Sequence, residues 1–263
     1  MRRQRMTTPL AVRVLEGHAR SYRHTWRGTT VSAIATPVLF LAAMGLGLGT
    51  LVDEGTGGGI DGISYLAWLA PGLLAVSAMQ NGAGDGAFPV LAGMRWVRDY
   101  HAAIATPVRP ADLMLGNLAW ATIRLAALLT VFVVVAAAFG ALPLGRGLLA
   151  VGPGLLVGVA TCAVVSAFMA SRKSDEALAG LFRFVIVPLF LFSGAFFPLD
   201  ELPTAVQPLA RINPVWHGVE LSRAVALDIP TRMGWPVHVG ALVLVLAAGI
   251  VWGIRSFTRS LRS

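Results

Sequence analysis

The sequence predicts an all-α polytopic membrane protein, on three observations. Apolar residues fill 56% of the 263 positions and charged residues only 13%, a balance expected of a chain that crosses a bilayer repeatedly. Mean hydropathy is positive, +0.72. Windows of roughly 20 mostly apolar residues, the length one span requires, recur at 29–51, 64–88, 112–139, 147–171, 177–198 and 236–254. The formal charge of +8 lies in the segments flanking these windows and forms no patch interleaved with aromatics, which argues against a nucleic-acid partner.

Three regions follow: a basic segment 1–28, a six-span body 29–255 and a basic tail 256–263. In the first, Arg13, Glu16, Arg20, Arg23 and Arg27 recur at steps of three and four, while Leu10, Val14, Tyr22 and Trp26 take another face. That pattern predicts an amphipathic helix lying in the headgroup layer. A merely solvated basic tail would fit the same charges. The apolar run that follows is span-length, so the start does not read as a cleavable signal peptide.

Orientation comes from the arginines. The N-terminal segment, the loop with Arg95, Arg98 and Arg109, the loop with Arg172 and Lys173, and the end with Arg255, Arg259 and Arg262 all fall on one side. Asp53, Glu54, Asp61, Asp200, Glu201, Glu220 and Asp228 gather on the other. The positive-inside rule then puts both termini in the cytoplasm. The first span ends in a glycine-rich outer loop, and its Gly45 and Gly49 make a small-xxx-small pair. Cys162 is the sole cysteine, so no intrachain disulfide is possible.

The long cytoplasmic loop "GMRWVRDYHAAIATPVRPADLMLGN" predicts a short helix from about Met94 to Ala105, stopped by Pro107 and Pro110. Trp96, Val97, Tyr100 and Ile104 supply apolar anchors with Arg95, Arg98 and Asp99 between them. Such a helix suits a groove on a partner protein, or equally the surface of the lipid.

The fifth span carries a kink at Pro188 and gives way to "FFPLDELPTAVQPLARINPVWHGVELSRAVALD". Prolines 198, 203, 208 and 214 cut this stretch into pieces too brief to cross. It predicts two short helices dipping into the outer leaflet, with Asp200 and Glu201 near the start of the first, where the helix dipole favours acids. Bent backbone at that depth needs protein or water around it.

"FSGAFFPLDELPTAVQPLARINPVWHGVELSRA" resembles the outer hairpin of type-2 ABC exporter permeases. "RDYHAAIATPVRPADLMLGNLAWATIR" is similar to the loop and third span of that family's nodulation-factor branch, to which daunorubicin-type drug exporters are related. The resemblance runs over essentially the whole chain. It implies a half-transporter of the bacterial cytoplasmic membrane that forms a dimer with an identical or similar permease. It also implies a separate ABC ATPase subunit holding ATP and Mg, with no cofactor on this chain. The cargo it implies is amphipathic, a hydrophobic drug or a lipid-linked glycan, moving along a path between the first, second and fifth spans.

Residue chemistry agrees with a separate motor. No G-x-x-x-x-G-K-[ST] phosphate loop, H-E-x-x-H or G-x-S-x-G occurs, and the five histidines are scattered. A membrane-embedded enzyme therefore lacks its parts, and a secondary transporter or channel would show more acids inside its spans than Asp85. Arg124 lies roughly 18 Å into the third span, as a contact for anionic cargo or as a structural partner. Asp85 and Arg183 fall at similar depths and are candidates to pair, or Asp85, beside glycines and Asn81, meets interfacial water. Phe190, Phe192, Phe196, Phe197 and Trp216 line an exit for amphipathic cargo or form an aromatic belt. The coupling residues expected to meet the ATPase are Arg95 to Tyr100.

Overall fold

The computed structural model describes residues 12, 14–20, 35, 38–56, 59, 60, 62–172, 174–201 and 203–262. The described residues are helical and turn-forming, with no strand beyond an isolated bridge between Ile60 and Ile63. The elements are α1 (14–20), α2 (38–56), α3 (Tyr65–Leu91), α4 (Asp99–Ile104), α5 (Pro110–Ala138), α6 (Leu144–Ser171), α7 (176–191), α8 (Gln207–Ile212), α9 (Pro214–Leu227) and α10 (Trp235–Arg262). Among the described residues, four helices are long and apolar enough to cross a membrane: Val38–Gly55, α5, α6 and α10. The predicted amphipathic helix over 1–28 lies mostly outside the described residues, of which α1 is one part.

Local chemistry sets the helix ends. Pro110 opens α5 at a position that needs no N–H, and the Asp112 carboxylate accepts the Arg109 N–H at 2.9 Å. Pro214 opens α9 in the same way, and the Asn213 side chain accepts the Val215 N–H at 2.9 Å. At the start of α3, the Tyr65 N–H donates to Asp53 at 2.8 Å, which ties the end of α2 to it.

The centre of the bundle is α3 against α6, where glycines let the backbones meet. A Cβ on Gly82 would fall 2.1 Å from the Gly158 carbonyl oxygen, and one on Gly86 would fall 2.6 Å from that of Cys162. Small residues drive helix approach where lipid offers no hydrophobic contrast. The expected Gly45–Gly49 pair cannot be compared, since the Gly45 side is outside the described residues.

Two helices differ from the sequence expectation. The window 177–198 becomes a 16-residue helix, α7, about 24 Å long, shorter than the roughly 30 Å of a bilayer core. Its π-helical stretch Phe182–Ile186 precedes Pro188; the wider turn relieves the clash a proline ring makes with the carbonyl four residues back. Phe192–Pro198 are turns. The tail 256–263 is not a separate segment: α10 continues to Arg262, with Ser256, Phe257 and Leu261 buried.

Candidate functional site

The bundle has two chemically distinct ends. The arginine-rich end, here the basic end, gathers the close of α3, α4, the start of α5, the α6–α7 loop and the close of α10. The opposite, hairpin end gathers the starts of α3 and α10 with α8 and α9.

At the basic end the chain does not form one helix over 94–105. α3 runs on as a π-helical turn, Ala92–Trp96. The Val97 and Arg98 N–H groups then both return to the Ala92 carbonyl, at 2.8 and 3.3 Å, and Arg98 takes a left-handed conformation, φ +61°. This is the geometry of a helix stop. Asp99 begins α4 in a new direction.

The break separates the predicted anchors. Trp96 and Val97 are 54% and 71% exposed, and together with exposed Arg98 and Asp99 they form a projecting tip. Tyr100 turns inward and is buried at 4%. It sits where a Cβ on Gly93 would be, 2.5 Å from the ring. Its hydroxyl accepts from the Asn117 amide, and its ring packs 6.0 Å from Phe257. Burial raises the Tyr100 phenol above the usual tyrosine range. Tyr100 is therefore an internal residue, a correction to its expected place in a partner's groove. Asn117 continues the network through its carbonyl oxygen to His18 Nε2 at 2.6 Å, and His18 stacks on Trp120. α1 is thus tied to α5, and through Asn117 to α4.

The tip is braced from the α6–α7 loop. Arg95 Nη1 donates to Asp175 Oδ1 at 2.6 Å, Trp96 Nε1 donates to Asp175 Oδ2 at 2.9 Å, and a second Arg95 nitrogen reaches the Arg172 carbonyl. The hydrogen bonds from Trp96 and Arg95 hold the Asp175 carboxyl below its ordinary value. Sequence reasoning missed Asp175. The available signal was that "SRKSDE" and the Arg95 loop close at the same end of the bundle.

About 9 Å inside this end, Asp85 of α3 meets Arg124 of α5. Arg124 Nε donates to Asp85 Oδ2 at 3.0 Å and Nη2 approaches Oδ1, a two-pronged pair with both side chains mostly buried. The expected partner, Arg183, is exposed and sits 5.8 Å from the Phe184 ring. α7 lies at the periphery and meets α3 through Phe88 and Phe182. Equal depth gives height along the bundle but not direction around it.

Midway along, a cavity of about 90 Å³ opens between Phe40 of α2, Leu73, Val76, Ser77, Gln80 and Asn81 of α3, Phe132 of α5 and Phe190 of α7. Phe190 meets Phe196 edge-on at 5.0 Å, and Phe40 lies 6.1 Å from the same ring. Of the other predicted exit aromatics, Phe197 is 37% exposed, whereas Trp216 is buried and packs with Phe192, Leu199 and Ala210. Of the predicted aromatics, Phe190 therefore borders this opening with Phe196 packed against it, while Phe192 and Trp216 are structural at the hairpin end.

A bundle with several helices long and apolar enough to cross a bilayer, and a charged tip projecting at one end, is the build of a membrane-embedded protein. The chain belongs to the ABC-2 type transporter family, which residues 15–227 match, and is a membrane-embedded permease whose ATPase resides in a separate subunit. It is 33% identical over 222 residues to Nodulation protein J of Rhizobium meliloti (strain 1021), covering 82% of each chain. Nodulation protein J of Rhizobium leguminosarum bv. viciae is 30% identical over 230 residues, 84% of this chain and 85% of that one. Its counterpart in Rhizobium leguminosarum bv. trifolii is 33% identical over 218 residues, 81% and 79%.

Proposed function

We propose that this chain is the six-span permease half of an ATP-driven exporter, working as a dimer in the bacterial cytoplasmic membrane with both termini in the cytoplasm. The observation that carries the reading is the braced tip. Trp96 and Val97 stand out from the basic end while Asp175 holds Arg95 and Trp96 from a second loop. An ATPase gripping this tip, with Arg98 and Asp99 setting register at its rim, moves α3 and α6 together.

The cargo is amphipathic, a hydrophobic drug or a lipid-linked glycan. The lateral cavity supports this, since Ser77, Gln80 and Asn81 present polar groups among Phe40, Phe132 and Phe190. It also supports a path between the first, second and fifth spans. Arg124 holds the Asp85 carboxylate, which favours its structural role over cargo contact.

The test is co-purification with the candidate ATPase, followed by cargo-stimulated ATP hydrolysis in liposomes. Gln80→Ala is expected to lower stimulation without loss of co-purification. Unchanged stimulation with every amphipathic cargo tried would remove the lateral path. For orientation, cysteines placed at 53–62 and 199–232 should label from outside, and those at 94–110 only from inside.

A further inference from the structure

A second cavity, of about 280 Å³, lies at the hairpin end between α3, α9 and the link into α10. Its walls include Trp68, Trp216, Glu220, Arg223 and Arg232. The volume sits at the low end of ligand pockets, roughly 300–1,000 Å³, so it suits a headgroup-sized molecule.

Charge placement in this cavity is unusual. Arg223 is only 5% exposed. Its guanidinium lies 3.4 Å over the Trp68 ring, Nε donates to the Trp68 carbonyl at 3.2 Å and Nη2 to the Ala195 carbonyl at 3.0 Å. Gly72 leaves room for it: a Cβ there would be 3.1 Å from Nη2. These partners are neutral, and among the described residues no carboxylate comes within ion-pair distance of Arg223. Glu220 acts on Arg223 through space without pairing with it, and a buried charge held only by neutral partners is disfavoured unless a ligand adds one.

Glu220 stands three residues before it on α9, a spacing at which helical side chains can pair. Here Arg223 turns to Trp68 and Glu220 accepts the Arg232 N–H at 3.3 Å, while the Arg232 guanidinium is taken by Asp200. One cavity is thus lined by a cation and an anion that do not pair, with the Trp216 indole in the same wall. An anion alone would leave Glu220 opposing it, and a cation alone would oppose Arg223.

We propose that this cavity binds a phosphoethanolamine-type zwitterion. The phosphodiester accepts hydrogen bonds from Arg223, and the primary ammonium donates to Glu220 and faces an indole. The source is either the headgroup of a bilayer phospholipid or a free soluble headgroup. This site is separate from the lateral cavity and from the tip, so its fate and that of the permease reading are independent.

The test is binding to the purified full chain in detergent, read by native mass spectrometry and calorimetry. Short-chain phosphatidylethanolamine should bind at least tenfold tighter than phosphatidylglycerol, which lacks the ammonium. It should also exceed phosphatidylcholine, whose trimethylated nitrogen cannot donate a hydrogen bond. Glu220→Gln should erase the preference over phosphatidylglycerol while the chain stays folded, and Arg223→Lys should weaken both. If Arg223→Lys fails to fold, Glu220→Gln alone decides. Soluble glycerophosphoethanolamine distinguishes the sources: competition shows that the headgroup suffices, and silence beside lipid binding assigns the bilayer. Equal affinity for the two lipids, or an unchanged preference in Glu220→Gln, overturns the proposal.

Discussion

At the basic end, polar side chains join elements far apart in sequence: His18 to Asn117, Asn117 to Tyr100, and both Arg95 and Trp96 to Asp175. At the hairpin end the ion pairs Arg146–Asp228 and Arg232–Asp200 lie open to the surroundings, and a deeply buried cation, Arg223, rests on carbonyls and an indole. Exposed pairs contribute little, a median of about 0–1 kcal/mol, so the hairpin end is held by packing around Trp216 and Arg223. The basic end is held by directional bonds that brace the tip from Asp175 while Trp96 and Val97 stay exposed. That contrast suits one end for receiving force and the other for holding a shape.

The largest effect should come from the pair that underlies the basic end. Asp85→Ala or Arg124→Ala strands a charge in the bundle, and loss of about 3–5 kcal/mol is expected. The double replacement should recover part of that, because neither charge is then left alone. Unfolding in mixed micelles checks both, and a double variant no better than the singles would mean that the pair is not the coupling between the two sites.

Next in size is the division between tip and core. Trp96→Ala should weaken ATPase association by about 1–4 kcal/mol, the range of exposed aromatic anchors at interfaces, with unfolding almost unchanged. Tyr100→Phe should do the reverse, destabilising by about 1–3 kcal/mol because the Asn117 amide loses its acceptor in a buried site. Equal effects of the two on co-purification would erase the distinction drawn here between an outward and an inward ring.

Much of this was legible in sequence, and the failures share one cause. Hydropathy windows located the long helices, and arginine placement separated the two ends. Depth along a span is also readable, and it is depth that gives Asp85 its need for a partner. The direction in which a side chain points around its helix depends on neighbours that a single window does not contain. Height alone therefore pairs Arg183 with Asp85, the loop pattern turns Tyr100 outward, and nothing in either marks Asp175. The stop at Arg98 left no pattern at all, because an arginine carries no signature of left-handed backbone. At the hairpin end, prolines announced the breaks, but nothing foretold that Arg223 would leave Glu220 for Trp68.

A pH series sharpens the comparison with a smaller effect. The Asp175 carboxyl is held below its ordinary value by Trp96 and Arg95. A depressed folded pKa contributes stability above the unfolded value, about 3.9 for aspartate, and that contribution is lost as pH falls through the folded one. The brace should therefore stay closed from neutral pH to below the ordinary carboxylate range. The indole N–H resonance of Trp96, assigned by its disappearance in Trp96→Phe, should not move between pH 8 and pH 5. A midpoint inside that window would contradict the bonded carboxylate.

The smallest effects concern two non-glycine residues with positive φ among the described residues, one at each end: Arg98 at +61° and Asp228 at +59°. Left-handed backbone disfavours an L-residue by roughly 1–2 kcal/mol, and aspartate less because its short side chain bonds locally. Glycine removes that strain but adds freedom to the unfolded chain, about 0.5–1 kcal/mol. Arg98→Gly should thus be neutral or stabilising by at most about 1 kcal/mol, and Asp228→Gly should stay within about 0.5 kcal/mol, as for ordinary surface changes. Their functional consequences should differ even so. A glycine at the stop below Trp96 and Val97 loosens the tip, so, under the proposal that the ATPase grips it there, cargo-stimulated hydrolysis should fall in Arg98→Gly while thermal stability does not. Asp228→Gly, at the end that holds shape by packing, should leave hydrolysis unchanged. Parallel loss in both variants would mean that force reaches the hairpin end through its surface contacts after all.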